Sequence, residues 1–209
     1  MTQSAMTLQR VADDDFERDA RPLPEEQALL ERVRGGDEKA FTSLFERHWD
    51  AVCRLLIRLT GDADAAGDLA QEVFVQLYRK PPVNEDVPLR AWLCRVALNR
   101  GYNALRADRR RRTREETVAG DPTAPGGAAG AVAESLEEIA NRAEERDSVR
   151  HVLLRLSERQ RDCLVLRANG LSYAEIAVAI GVAPGSVGTL LARAERAFKA
   201  EYLSRRGGL

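Results

Sequence analysis

The sequence predicts an all-α protein: two small helical domains joined by a flexible linker, the second containing a helix-turn-helix. Three observations carry this. Apolar residues recur at three- and four-residue spacing along most of the chain, and almost no segment alternates as a strand does. A run rich in Gly, Ala and Pro, Glu116–Ala133, has little to bury and divides the periodic segments into two groups. Finally, Leu171–Arg196, LSYAEIAVAIGVAPGSVGTLLARAER, reads as helix, glycine turn, helix.

Taken in order, residues 1–24 are polar and acidic with Pro22 and Pro24, and are expected to form a disordered tail. A first helix is expected over Glu25–Arg34, ending at Gly35-Gly36. Asp37 caps a second helix, which carries Phe41, Leu44, Phe45, Trp49, Val52, Leu55, Leu56 and Leu59 on one side and stops at Gly61-Asp62. A third runs from about Asp64 to Arg79 on Leu69, Val73, Phe74 and Leu77, and Pro81-Pro82 end it. The loop PPVNEDVP leads to a fourth, about Leu89–Arg112, built on Trp92, Leu93, Val96, Ala97 and Leu105. Beyond the linker, helices are expected over Glu134–Leu156, Ser157–Asn169, Ser172–Ile180 and Pro184–Tyr202, with SRRGGL frayed. Ser157 with Gln160, and Ser172 with Glu175, have capping-box spacing. Gly181 suits the left-handed stop between the last two helices, and Pro184 the first turn of the second. The domains are therefore placed at 25–113 and 135–209, with the linker at 114–134.

Composition narrows the function. The 209 residues carry 32 Lys and Arg against 33 Asp and Glu, a net charge of −1, with 44% hydrophobic residues and no apolar run long enough to span a bilayer. The N-terminus lacks the basic-then-apolar pattern of a secretory signal, so a cytoplasmic location is expected. Cys53, Cys94 and Cys163 are far apart without metal-ligand spacing, and read as buried free thiols. His48 and His151 stand without paired ligands and read as packing or solvated residues. Charge is segregated: Arg106–Arg114 is intensely basic and Glu134–Asp147 mostly acidic. Near neutrality with separated patches suits a protein that binds nucleic acid together with a larger partner. No nucleophile–base pair or metal cluster is legible, so no catalytic residue is assigned and enzymes are set aside.

The second helix of a helix-turn-helix can lie in the DNA major groove. Read with the first half, the chain resembles bacterial RNA polymerase sigma factors of the extracytoplasmic-function group (group 4 of the sigma-70 family). Three segments carry the resemblance: Gly61–Arg79, Arg90–Arg112, and LSERQRDCLVLRANGLSYAEIAVAIGVAPGSVGTLLARA in the second half. It implies a dissociable promoter-specificity subunit that binds core RNA polymerase, recognises the −10 and −35 promoter elements and starts transcription. It implies as partners the β′ clamp helices and β flap of the polymerase, promoter DNA and an anti-sigma factor. It implies no cofactor and no membrane contact of its own.

The implied sites have physical reasons. Asp68, Gln71, Glu72 and Gln76 recur at helical spacing as a polar stripe, and with Leu69 and Phe74 they are the candidates for polymerase binding. Without the resemblance such a stripe reads as a solvated face. Asn84 in the loop and Arg95, Asn99, Asn103, Arg106, Arg109 and Arg110 on the fourth helix are the candidates for the −10 element. Asn can pair with an extruded base edge and Arg can neutralise phosphate. Trp92 shares the apolar register of Val96 and reads as core rather than a base-stacking ring. The −35 candidates are Ser172, Tyr173, Ser186, Gly188, Thr189, Arg193 and Arg196. Here the chain departs from the family, whose common members carry basic residues where it has Gly188 and Leu190, and often where it has Glu195. Fewer cations lower phosphate affinity and salt sensitivity, so weak upstream contact is expected. The alternative is a regulator that binds an operator through the same helix-turn-helix without being a polymerase subunit.

Overall fold

The computed structural model describes residues 23–84, 86–118 and 136–206. Residues 1–22 of the expected tail and 119–134 of the expected linker lie outside the described residues. Eight α-helices make up the described chain: α1 Pro24–Arg34, α2 Glu38–Thr60, α3 Ala63–Arg79, α4 Leu89–Val118, α5 Leu136–Arg155, α6 Glu158–Ala168, α7 Tyr173–Ile180 and α8 Pro184–Arg206. Most ends fall within two residues of expectation. Two do not: α4 continues through Val118, and α8 includes Ser204–Arg206. Neither stretch holds a Gly or Pro, so nothing stops the helix there.

Helix ends follow their capping residues. Asp37 Oδ1 accepts from the backbone N–H of Lys39 and Ala40 at 2.9 and 3.1 Å. Asp62 does the same for Asp64 and Ala65 at 2.9 and 3.1 Å. Gly61 and Gly181 close α2 and α7 in the left-handed conformation, at φ 75° and 69°.

α1 to α4 pack into one bundle. Leu44, Val52, Leu55, Leu56 and Leu59 of α2 face Ala66, Ala70, Val73, Phe74 and Leu77 of α3 and Leu89, Leu93, Val96 and Ala97 of α4, all buried. Phe45 stacks on Trp49 at 4.8 Å and meets Phe74 edge-on at 4.8 Å. Trp92 is half-buried against this core, as its register implies. α1 is fixed by a buried pair, Glu26 Oε1 with His48 Nε2 at 3.0 Å. Burial works to raise the Glu26 carboxyl; the His48 bond and the His48 and Arg47 charges outweigh it and hold it below its usual range. His48 is thus a packing residue, and His151 is exposed with Nδ1 2.8 Å from the Asp147 carbonyl.

α5 to α8 form the second bundle around Val152, Leu156, Cys163, Leu166, Leu171, Ile176, Val187 and Leu191. The three cysteines are free, Cys94 and Cys163 buried and Cys53 half-buried. Burial pushes the Cys94 thiol up to about 12 and Cys163 up to about 11, so both stay protonated packing groups.

The expected arrangement of two bundles on a tether differs from the structure in one respect. The bundles touch: α4 packs on α7 and α2 on α6, and most buried apolar residues of both halves join one continuous core. Each half alone buries little, and their contact extends the apolar area removed from water.

Candidate nucleic-acid interface

α4 gathers most of the candidate residues of the first half. Arg95, Asn99, Asn103 and Arg106 recur every three or four positions and line one cleft of about 610 Å³ with Tyr102. Its opposite wall comes from the second half: Glu158, Arg159 and Asp162 of α6, and Ala179, Ile180 and Gly181 at the end of α7. Arg109 and Arg110 lie exposed one turn beyond Arg106, and Arg110 Nε donates to the Arg106 carbonyl at 3.1 Å. Asn84 stands apart in the α3–α4 loop, where its Oδ1 accepts from the Asp86 N–H at 2.9 Å.

The cleft is wired with polar contacts between the halves. Arg95 donates Nε to the Ala179 carbonyl at 2.9 Å and Nη2 to the Val178 carbonyl. These carbonyls end α7, where the helix carries partial negative charge. Arg106 pairs with Glu158 at 2.6 Å. The Tyr102 hydroxyl donates to Asp162, and Arg161 lies over the Tyr102 ring at 4.8 Å while its Nε donates to the hydroxyl at 3.1 Å. Burial raises the Tyr102 hydroxyl, and burial pushes the Asp162 carboxyl up to about 6.

The helix-turn-helix forms where the sequence placed it. α7 and α8 meet at 92° across a short break at Gly181. Ser186, Thr189, Arg193 and Arg196 are exposed along one side of α8. Two −35 candidates are less open than the others. Ser172 is buried, and its hydroxyl is used inside the fold, 3.2 Å from the Glu175 N–H and 3.0 Å from the Glu175 carboxylate. It shapes the start of α7. Tyr173 is half-buried under Arg167, whose guanidinium lies 5.5 Å from its ring. Gly188 faces this ring, with room for a methyl group at 3.6 Å from Tyr173 Cε2.

On α3, Asp68, Gln71 and Glu72 are exposed, while Leu69 and Gln76 are half-buried. Phe74 is 2% exposed among Phe45 and Trp49, and is corrected from a partner-facing anchor to a core residue. The exposed apolar groups beside the stripe are Val75, 47% exposed, and Tyr78, 46% exposed. Sequence reasoning missed both, although they continue the spacing of Asp68 and Gln71. It also missed Arg100, which donates to Glu72 at 2.7 Å and Gln76 at 3.1 Å and so ties α4 to the stripe.

Comparison with known proteins bears on both halves. The model of sigma-70 region 2 matches residues 44–111, and that of sigma-70 region 4 matches residues 146–198. The RNA polymerase sigma-H factor of Pseudomonas aeruginosa is 34% identical over 176 residues, covering 83% of this chain and 91% of the relative. The ECF RNA polymerase sigma-E factor of Escherichia coli K12 is 33% identical over 193 residues, covering 87% and 97%. Among solved structures, CnrH in complex with the cytosolic domain of CnrY shares the fold at TM-score 0.60 and 23% identity, covering 84% of this chain and 96% of that one. The sigma factor RpoE of Bartonella quintana, solved with the anti-sigma factor NepR, does so at TM-score 0.55 and 23% identity, covering 78% and 96%.

Proposed function

The chain belongs to the extracytoplasmic-function group of the sigma-70 family, and on that footing we propose how its surfaces divide the work. It is a promoter-recognising sigma factor, and its partners are core RNA polymerase and promoter DNA. Members of this family are non-catalytic subunits of the polymerase. In our reading this chain likewise contributes no reacting group, and it acts in the cytoplasm where the polymerase is. Among the described residues no single helix is long and apolar enough to cross a membrane. The operator-binding alternative finds no support in these similarities.

The α4 face of Arg95, Asn99, Asn103 and Arg106 takes the −10 element, with Arg109 and Arg110 gripping phosphate beyond it and Asn84 at the loop margin. Promoter opening needs donors and acceptors for unstacked bases, and cations for the backbone beside them. The α3 face of Asp68, Gln71 and Glu72, edged by Leu69 and Gln76, takes the β′ clamp helices. Ser186, Thr189, Arg193 and Arg196 on α8 take the −35 element, and the half that carries them meets the β flap. The Bartonella factor was solved with an anti-sigma factor, and a partner of that kind is proposed for this chain too.

One observation carries the −10 assignment: four polar residues spaced along α4 line a single cleft. Run-off transcription with core polymerase tests it. The pair Asn99→Ala and Asn103→Ala is expected to retain core binding and to lower open-promoter signal, read by permanganate reactivity, at least tenfold. Unchanged reactivity would move the melting site elsewhere.

A further inference from the structure

We infer that α1 positions the α3–α4 loop for promoter reading, with Arg34 as the positioning residue. This rests on the assignment of Asn84 in that loop to the −10 element. Arg34 is the last residue of α1, and its Nη2 donates to the Pro82 carbonyl across 48 residues of chain. Pro82 is buried, so its carbonyl is withdrawn from water and needs a donor from the protein. A bond from a guanidinium to a carbonyl is charge-assisted, and about twice as strong as a neutral one.

The two sides of this bond differ in stiffness. α1 is tied to α2 near both of its ends and packed between them. Glu26 meets His48 at 3.0 Å, and Arg47 lies 3.7 Å from the same carboxylate. Leu30 and Val33 are buried in the core. Arg32 pairs at 2.8 Å with Asp37, the cap of α2. Arg34 is therefore carried by a firmly held helix. The loop is shaped by local bonds: the Asp86 N–H donates to Asn84 Oδ1 at 2.9 Å, and the Val87 N–H to the Asn84 carbonyl at 3.4 Å. Such bonds form a turn without fixing where the turn sits.

Its place is set from α1. Pro82 and Pro88 are buried at the two ends of the loop, while Val83 is 85% exposed and Asn84 is also exposed. The Arg34 bond falls one residue before Val83 and so fixes the point from which both side chains project. Leu30 and Arg34 also face Asn84 and Val87 across a narrow crevice, so α1 backs the turn itself. An extruded base is read by hydrogen bonds to its edge, which need a donor and acceptor already in place. A loop that must order on binding loses part of the interaction free energy to that ordering. The loss falls on the correct base, which engages the loop, and spares a base that does not. Arg34 thereby sharpens discrimination between bases without touching DNA itself.

The test uses the full-length protein with core polymerase, on a promoter located by run-off transcription and on its single-base −10 variants. The readout is the ratio of run-off signal from the parent promoter to that from each variant. Arg34→Ala is expected to lower the largest ratio at least fivefold, with core affinity and thermal midpoint close to the parent's. Arg34→Lys keeps a donor for the carbonyl and should restore most of the ratio. A residue that acts through the loop loses its effect once the reading side chain is gone. Arg34→Ala added to Asn84→Ala should therefore change the ratios less than twofold. Unchanged ratios in Arg34→Ala, while Asn84→Ala lowers them, overturn the positioning role and leave the −10 assignment standing. Losses that multiply in the double variant overturn action through Asn84. A lowered midpoint with equal loss on every template makes Arg34 a support of the fold alone, and overturns the inference as well. Unchanged ratios in Asn84→Ala itself remove the loop from the −10 site, and the role of Arg34 with it.

Discussion

Gly101 shows how much one side chain can matter. A Cβ at this position would lie 2.4 Å from Cδ2 of Leu59 and 3.4 Å from Cδ2 of Leu56, so its absence lets α4 approach α2. Gly101→Ala would gain about 1 kcal/mol of helix propensity. It would overpack a site where Leu59 is 2% exposed and Leu56 fully buried, at a cost of about 1–3 kcal/mol. With a clash as close as 2.4 Å the overpacking cost wins, and the variant is expected to unfold at lower urea, with a net loss of up to about 2 kcal/mol. In the sequence Gly101 is an interior position of the fourth helix and carries no signal of its own. The partner it accommodates comes from a helix some forty residues earlier, and no local rule names it. Asn169 was hidden for the same reason: it read as a helix end, which it is, while its buried amide answers to Ala51, Arg58 and Arg90.

Elements were the most legible scale. Caps at Asp37 and Ser172 and the stops at Gly61 and Gly181 act within a few residues, so sequence spacing suffices to find them. The faces of those elements were less legible. Apolar periodicity separates Phe74 from Val75 by only one residue of helix, and the structure puts Phe74 in the core and leaves Val75 47% exposed. The α3 surface we propose for the polymerase is therefore Asp68, Gln71 and Glu72 around Val75, with Tyr78 braced on Phe41 at 5.2 Å. Val75→Asp puts a charge at the centre of that surface without touching the core. We expect it to weaken core polymerase binding at least tenfold, measured by fluorescence anisotropy, with a thermal midpoint close to the parent's. Equal loss of midpoint and binding would place Val75 in the fold instead.

At the scale of the whole molecule, the contact between halves was not legible at all. Composition marked a linker, and a linker says nothing about whether the bodies it joins touch. The closed form has a proton linkage of definite sign. Burial pushes Asp162 up to about 6, ahead of the charge of Glu158, while the Tyr102 bond and Arg161 pull the other way. Arg95, Arg106 and Arg159 line the same cleft. Once the halves part, an exposed aspartate titrates near about 4. Between these values the closed form keeps a proton that the open form has released. Closure should therefore strengthen as pH falls through 6, level off below about 4, and stay constant above 6. The radius of gyration followed against pH checks this, and Asp162→Asn should remove the slope. The bonds at Asn169 also have a meaning in competition. Every tenfold excess of shut over open molecules weakens, by about tenfold or 1.4 kcal/mol, the apparent hold on any partner that takes only the open one.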